Sequence, residues 1–146
     1  MMPSTLCLGW REWLALPELG IASIKAKIDT GARTSAIHAF VIEPFHCDDQ
    51  LKVRFGVHPL QKRTDIKLFC EADVIDQRLV SDSGGHRERR YVIQTPVQIG
   101  AQSWPIEITL TDRDTMRFRM LLGRSAMRRG VMVNPSASYL LGRHPT

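Results

Sequence analysis

An aspartate, a threonine and a glycine, Asp29-Thr30-Gly31, come directly after a run in which apolar residues alternate with lysines. The alternation over residues 21–28 predicts a β-strand that ends at the aspartate. A carboxylate on a tight loop at a strand end can be half of a catalytic pair, in which one carboxyl group acts as the acid and the other as the base. The same tripeptide also suits an ordinary turn. The tripeptide alone leaves both interpretations open.

A second element with a possible role lies further along the chain. Two leucines and a glycine, Leu121 to Gly123, lead into residues 124–130, which begin with Arg124 and are the one segment with a helical pattern. That segment has room for about two helical turns and ends at Gly130, a residue type favoured just after a helix. The sequence therefore predicts an apolar strand followed by one short C-terminal helix.

Motifs for other kinds of chemistry are absent from the sequence. The five histidines form no HExxH helix, and there is no glycine-rich phosphate loop. The His-Cys-Asp-Asp stretch at 46–49 has residue types that bind metals, but it lies in one predicted polar loop, 46–50, without a second cluster. We therefore expect neither a metal site nor a cofactor.

The elements that must position these residues are mostly strands. Alternating or apolar runs separated by glycine-bearing turns cover 10–16, 21–28, 35–42, 51–57, 65–80, 86–99, 102–111 and 117–122. Many strands with one short helix are typical of a closed or partly closed β-barrel. Because 146 residues is the length of one domain, we predict a mainly β, single-domain barrel over residues 1–146.

Composition and charge restrict the compartment and the partners. No apolar run approaches the roughly 18 residues needed to span a membrane, and the N-terminus lacks the features of a signal peptide. Three scattered cysteines, an odd number, suit a reducing compartment, so we expect a cytoplasmic protein without a membrane partner. The net charge of +5 favours acidic partners. No RNA-binding motif is present, so nucleic acid is not the expected partner.

Together the two elements resemble the signatures of the retropepsins, the single-domain aspartic proteases of retroviral type. The first signature is matched by Ile28, Asp29, Thr30, Gly31, Ala32, Ser35 and Ile37, and the second by Leu121, Leu122, Gly123 and Arg124. More narrowly, the chain resembles a bacterial family labelled as ATP-dependent zinc proteases, through stretches such as "GWREW", "IKAKIDTGARTSAIHA" and "MRFRMLLGRSAM". The sequence contains neither a zinc-protease motif nor a nucleotide loop, so the retropepsin-like interpretation fits it better.

This resemblance implies an aspartic endopeptidase with a retropepsin-like barrel. Because the chain has one Asp-Thr-Gly, the catalytic pair would be formed by Asp29 from each subunit of a homodimer. The residues implied to support the site are Thr30, Gly31, Ala32, Ser35, Leu122, Gly123 and Arg124. The resemblance places a glycine-rich flap at the hairpin tip 81–85, and the residues implied to contact substrate are Arg33, Ser83, Gly84 and Gly85. Residues 48–70 then resemble an insertion relative to the viral enzymes.

One departure from the retropepsin pattern bears on the substrate. Arg33 stands where retropepsins usually have an aspartate, so Arg33 and Arg124 would be neighbouring cations. Either acidic groups of the substrate or other carboxylates compensate their charge, or the dimer is assembled differently; the first alternative favours an acidic peptide. Some members of the bacterial family are associated with ATP-grasp ligases that add glutamates to protein C-termini. Two other functions stay open: a non-catalytic barrel that binds an acidic protein tail or RNA, and a metal-dependent protease, as the family label says.

Overall fold

The structure, a computed structural model, describes residues 6–60, 64–81, 84–112, 117–127 and 130–142. These ranges contain twelve strands, numbered β1 to β12 in chain order. Their bounds are Leu6–Gly9, Arg11–Leu16, Ile21–Ile28, Ser35–His38, Val41–Cys47, Gln50–Val57, Leu68–Asp73, Asp76–Ser81, Arg87–Ile99, Gln102–Thr111, Met120–Leu122 and Val131–Asn134. The helical elements of the same ranges are two 3₁₀ turns, at Pro17–Leu19 and Arg124–Ala126. The predicted mainly β fold is confirmed.

Six of the strands close into a barrel. β3 pairs with β2 on one side, antiparallel, and with β11 on the other, parallel. β11 pairs with β4, β4 runs parallel to β10, and β10 pairs with β9. The short contact between β9 and β2 closes the ring. β8 pairs with β9 beyond the ring, so that β8 and β9 form a hairpin, as predicted around 81–85.

The apolar side chains of the alternating sequence pattern fill the barrel. In β3 the side chains of Ile24, Ala26 and Ile28 are buried, whereas Lys27 between them is exposed. The core also contains Phe55, the largest of the fully buried side chains, from a strand outside the ring. One continuous core therefore serves all the sheets.

β5, β6 and β7 form a separate antiparallel sheet against this core. The predicted loop at 46–50 is wrong, because β5 and β6 continue to a two-residue turn at Asp48 and Asp49. Both aspartates have left-handed φ angles, 50° and 65°, as a tight hairpin turn of the favoured type requires. The interpretation of 48–70 as an insertion stays a prediction.

The helix predicted over 124–130 is also wrong in the part that the structure describes. After the single turn Arg124–Ala126, Met127 is extended, with φ −92° and ψ 106°. The carbonyl of Ala126, which a longer helix would use internally, accepts the indole N–H of Trp104 at 2.8 Å. The chain instead continues to β12, which pairs in parallel with β1. Residues 128 and 129 lie outside the described residues.

Glu12 connects the start of the described chain to its C-terminal segment. Its side chain is fully buried, and its carboxylate accepts backbone N–H groups from Gly9 at 2.7 Å, Leu140 at 2.9 Å and Leu141 at 3.3 Å. Beside it, Tyr139 has a left-handed φ of 54° and donates its N–H to the carbonyl of Arg11. Within the described ranges, no helix has the length and apolar character that crossing a membrane requires.

Candidate active site

Asp29 follows the last residue of β3 and is half-buried at the edge of the barrel. Its backbone N–H donates to the carbonyl of Leu122 at 2.9 Å, which fixes the aspartate to β11. Its carboxylate oxygen Oδ1 accepts the N–H of Gly31 at 3.0 Å, and its carbonyl accepts the N–H of Ala32 at 3.2 Å. The Asp-Thr-Gly tripeptide is therefore a tight turn that also orients a carboxylate.

The segment after β11 holds the other side of this loop. The N–H of Gly123 donates to the buried hydroxyl of Ser35 at 3.0 Å. The N–H groups of Arg124 and Ser125 donate to the carbonyls of Ala32 and Arg33 at 2.8 and 2.9 Å. The two elements that the sequence singled out thus form one hydrogen-bonded unit (residues 29–35 with 122–125), which we call the catalytic loop after the role that the resemblance implies for it.

Gly123 could not be replaced without moving this unit. A Cβ atom at Gly123 would lie 2.6 Å from the carbonyl carbon and oxygen of Thr34. Real Cβ atoms do not approach backbone that closely, so the loop depends on the missing side chain. Leu122 beside it is fully buried in the core.

Arg33 and Arg124, expected to be neighbouring cations, belong to the same unit. Arg124 donates from Nη1 to the carbonyl of Thr30 at 3.0 Å, and both arginines have exposed side chains. The structure therefore gives Arg124 a backbone partner on the catalytic loop.

Of the four residues predicted to contact substrate, Gly84 and Gly85 lie at the exposed tip of the β8–β9 hairpin, past the pair formed by Ser81 and Arg87. Gly85 has a φ of 84°, which favours glycine. Arg33 lies on the catalytic loop, and Ser83 falls outside the described residues. The role of this hairpin as a flap stays a prediction.

A cleft of about 1230 Å³ separates the catalytic loop from the hairpin, and residues of both line it. In the described part of the chain, its cationic lining residues are Lys27, Arg33, Arg78, Arg90, Arg117 and Arg124, against the carboxylates of Asp29 and Glu107. Trp10 and Phe118, in edge-to-face contact at 5.8 Å, add an apolar wall. The excess of cations suits a ligand that carries several negative charges.

On the hairpin side, sequence reasoning missed a polar network. Arg78 contacts Asp76 and Glu107, while Arg90 donates to Glu88 at 3.0 Å. The Glu107 carboxylate, followed by that of Asp76, raises the pKa of the Arg78 guanidinium. The hydrogen bond from Arg78 in turn lowers the pKa of Asp76. The sequence pattern that could have indicated these ion pairs is an acidic residue two positions before an arginine, in "DQR" (76–78) and "ERR" (88–90). Residues two apart in a strand have their side chains on the same face.

For a metal, the described residues offer no group of three or more histidine, cysteine, aspartate or glutamate side chains close enough to hold an ion. The cysteines Cys7, Cys47 and Cys70 are all free thiols, and Cys70 is buried. Burial raises the pKa of the Cys70 thiol to about 11, so this thiol stays protonated near neutral pH.

Comparison with known proteins gives a family, relatives and a fold. A family profile described as "RimB-like: Retropepsin-like aspartic endopeptidase RimB" matches residues 7–144. Two proteins named "Probable alpha-L-glutamate ligase" are similar in sequence. The one from Shewanella pealeana is 46% identical over 97% of this chain, and the one from Shewanella halifaxensis is 47% identical over 98% of it. A protein of the same name from Parasynechococcus marenigrum is 47% identical over 97% of it.

The chain spans about a third of the length of these curated relatives, 31% of the two Shewanella proteins and 30% of the third. Among solved structures, the crystal structure of Lpg0085 from Legionella pneumophila, a protein of unknown function, is similar with a TM-score of 0.77. The similarity covers 94% of this chain and 99% of that one at 22% sequence identity, and it therefore supports the fold alone.

Proposed function

Because the chain belongs to the RimB-like family of retropepsin-like aspartic endopeptidases, we propose that it hydrolyses peptide bonds with a pair of Asp29 carboxylates, one from each subunit of a homodimer. The observation that carries the proposal is the catalytic loop. It orients the Asp29 carboxylate with the N–H of Gly31 and ties its backbone to β11, at the edge of a cleft that faces a hairpin.

The chemistry explains why one aspartate needs a second copy. Two carboxyl groups in contact cannot both be ionised, so one is protonated and the other is a base. The base takes a proton from a water molecule held between them, and that oxygen attacks the carbonyl carbon of the scissile peptide bond. The protonated carboxyl group hydrogen-bonds the carbonyl oxygen. The carboxyl group that took the proton from water then gives it to the leaving nitrogen as the C–N bond breaks. A two-fold axis next to Asp29 would supply both groups from one sequence position.

The proposed substrates are acidic peptides, in particular those rich in glutamate. Among the described residues, six cationic side chains line the cleft against two carboxylates, which favours negative charge in the bound peptide. The relatives named as glutamate ligases carry the same domain within chains about three times as long, so a peptide of added glutamates is a consistent substrate. The reaction would take place in the cytoplasm, where the free thiols stay reduced.

The second candidate is a non-catalytic module that binds an acidic protein tail. The length of the relatives favours it, because a domain that makes up about a third of a ligase could present the tail to the remainder of the chain. This candidate uses the same cationic cleft and needs no second Asp29.

The test compares the wild type with Asp29→Asn on a reporter protein that ends in six glutamates. New C-termini are identified by mass spectrometry. We expect cleavage within the tail by the wild type, a rate at least about a hundredfold lower for Asp29→Asn, and no effect of EDTA. Asp49→Asn, the same change in an exposed hairpin turn, is the matched control and should cleave normally.

Each contrary result has its own meaning. Cleavage that survives Asp29→Asn, or that EDTA abolishes, would overturn the aspartic mechanism, and EDTA sensitivity would favour the metal-dependent protease. Tight binding of the reporter without cleavage by the wild type would favour the binding module. A second reporter that ends in six glutamines tests the substrate class, because equal cleavage of both tails would contradict an acidic preference.

A further inference from the structure

Arg78, on the hairpin side of the cleft, is held by two carboxylates. Its Nε donates to Oδ2 of Asp76 at 2.8 Å, and its Nη1 donates to Oε1 of Glu107 at 2.7 Å. Arg78 and Glu107 both line the cleft, so the second ion pair lies where a bound peptide would pass.

The two carboxylates have different positions relative to Arg78. Asp76 lies two residues before it in β8, so the two side chains share a face of the same strand. Glu107 belongs to β10, on a different strand from Arg78: in their pairings with β9, Arg78 lies opposite Arg90 and Glu107 lies opposite Gln94. Asp76 therefore orients the guanidinium locally, whereas Glu107 contacts it across the intervening strand.

Position in the cleft, and not exposure, separates the two carboxylates, because Asp76 is 47% exposed but only Glu107 lines the cleft. Exposure separates the ion pair of Arg78 and Glu107 from its neighbour. The side chains of Arg78 and Glu107 are 35% and 39% exposed, whereas the neighbouring pair of Arg90 and Glu88 is 10% and 24% exposed. An ion pair in contact with water gains little net free energy, because both ions are well solvated when apart. Another carboxylate can therefore replace Glu107 at little cost, and Arg78 is the more accessible of the two arginines.

We propose that Arg78 is a second carboxylate-binding position of the cleft, opposite the catalytic loop, and that Glu107 occupies it until an acidic side chain of the substrate takes its place. This inference rests on the proposed acidic substrate. It adds a residue on the hairpin side to the recognition expected of Arg33, and it makes Glu107 an internal competitor of the substrate.

An internal competitor has an unusual consequence, namely that its removal strengthens binding. Glu107→Gln keeps the size of the side chain but removes one of the two charges that hold Arg78, the one inside the cleft, and leaves Asp76 to orient the guanidinium. We therefore expect an acidic peptide to bind more tightly to this variant. A gain of affinity is also informative because a misfolded variant would lose affinity.

The experiment measures binding of acetylated and amidated tetraglutamate by calorimetry at about 50 mM salt, where screening is moderate. All variants carry Asp29→Asn, so that the peptide is not cleaved. We expect Glu107→Gln to lower the Kd about fivefold, and Glu18→Gln, an equal charge change on an exposed turn away from the cleft, to leave it unchanged.

A double-mutant cycle separates this mechanism from the general effect of one less negative charge. With Arg78→Gln present, the gain from Glu107→Gln should disappear, because Glu107 then has no guanidinium to occupy. Arg78→Met, which keeps an unbranched side chain but carries no charge, replaces Arg78→Gln should the latter lower the folded fraction.

Two results would overturn the inference alone: no gain from Glu107→Gln, or an equal gain with and without Arg78. In both cases the peptide still binds, and the proposed substrate class stands. If tetraglutamate binds none of the variants, the acidic substrate class fails and this inference fails with it, whereas Asp29-dependent cleavage of the glutamine-tailed reporter would still support the peptidase.

Discussion

Two glycines of the catalytic loop differ in which atoms a side chain would meet at their positions. Gly123 faces the backbone of Thr34, which cannot move aside without shifting the loop. Gly31 faces only the Oδ1 atom of Asp29, at 3.3 Å from the position of a Cβ. The first glycine is therefore required by the fold, and the second by the orientation of one carboxylate.

We predict that Gly123→Ala lowers the free energy of unfolding by about 1–3 kcal/mol, the usual cost of overpacking. Gly31→Ala should change it by less than about 1 kcal/mol, while it lowers the rate of peptide cleavage because the methyl group displaces the carboxylate. Urea unfolding followed by tryptophan fluorescence measures the first quantity, and the reporter assay measures the second. Equal free energies of unfolding for Gly123→Ala and Gly31→Ala would contradict the conclusion that the fold requires Gly123 but not Gly31.

At the residue scale, the sequence predicted the candidate site best where a motif consists of consecutive residues. Asp29-Thr30-Gly31 and the later Gly123-Arg124 were connected only through their resemblance to the two retropepsin signatures, and hydrogen bonds join them in the structure. The pair of Arg78 and Glu107 could not be predicted, because it depends on the registers of three strands at once. A one-residue shift in either register would turn one of the two side chains to the opposite face.

At the scale of elements, the Glu12 carboxylate joins the strand β2 to the C-terminal segment. It accepts three N–H groups, and the Glu12 side chain itself has no exposure to water. A glutamine has the same shape but offers one oxygen, so its amide nitrogen would face at least one of those N–H groups as a second donor.

We predict that Glu12→Gln lowers the free energy of unfolding by about 1–3 kcal/mol, the cost of leaving a buried donor unsatisfied. The backbone amides of Leu140 and Leu141 should also exchange hydrogen faster than in the wild type. Glu18→Gln, on the exposed 3₁₀ turn, is the matched control and should leave both measurements unchanged. Unchanged exchange in Glu12→Gln would mean that the carboxylate does not hold this segment.

Some of the elements that the sequence missed are decided by distant partners. Alternation predicted β3 and the first half of β10 well because each buries one face there. The strands β1 and β12 are four residues each and pair across almost the whole chain, so no local pattern indicated them. The predicted helix failed for a similar reason, since the indole of Trp104 takes the carbonyl of Ala126.

At the scale of the whole molecule, the proposed dimer predicts interference between subunits. An active site that needs two Asp29 carboxylates is lost in every mixed dimer. With free subunit exchange, a tenfold excess of Asp29→Asn should reduce the activity of a fixed amount of wild type to about a tenth. The reporter is kept in large excess over total protein, so that the variant does not deplete it. Undiminished activity would indicate that a single subunit is catalytically complete.

The pairing of β1 with β12 and of β3 with β11 also determines when the molecule can fold. Domains dominated by contacts between distant parts of the chain have a high contact order and fold slowly, in milliseconds to seconds. The carbonyl of Leu122 is needed to hold Asp29, and Val131 is needed to pair Leu6. During synthesis the aspartate therefore emerges from the ribosome long before the strand that orients it, so a nascent chain stays without a formed site until nearly all of the barrel has been made.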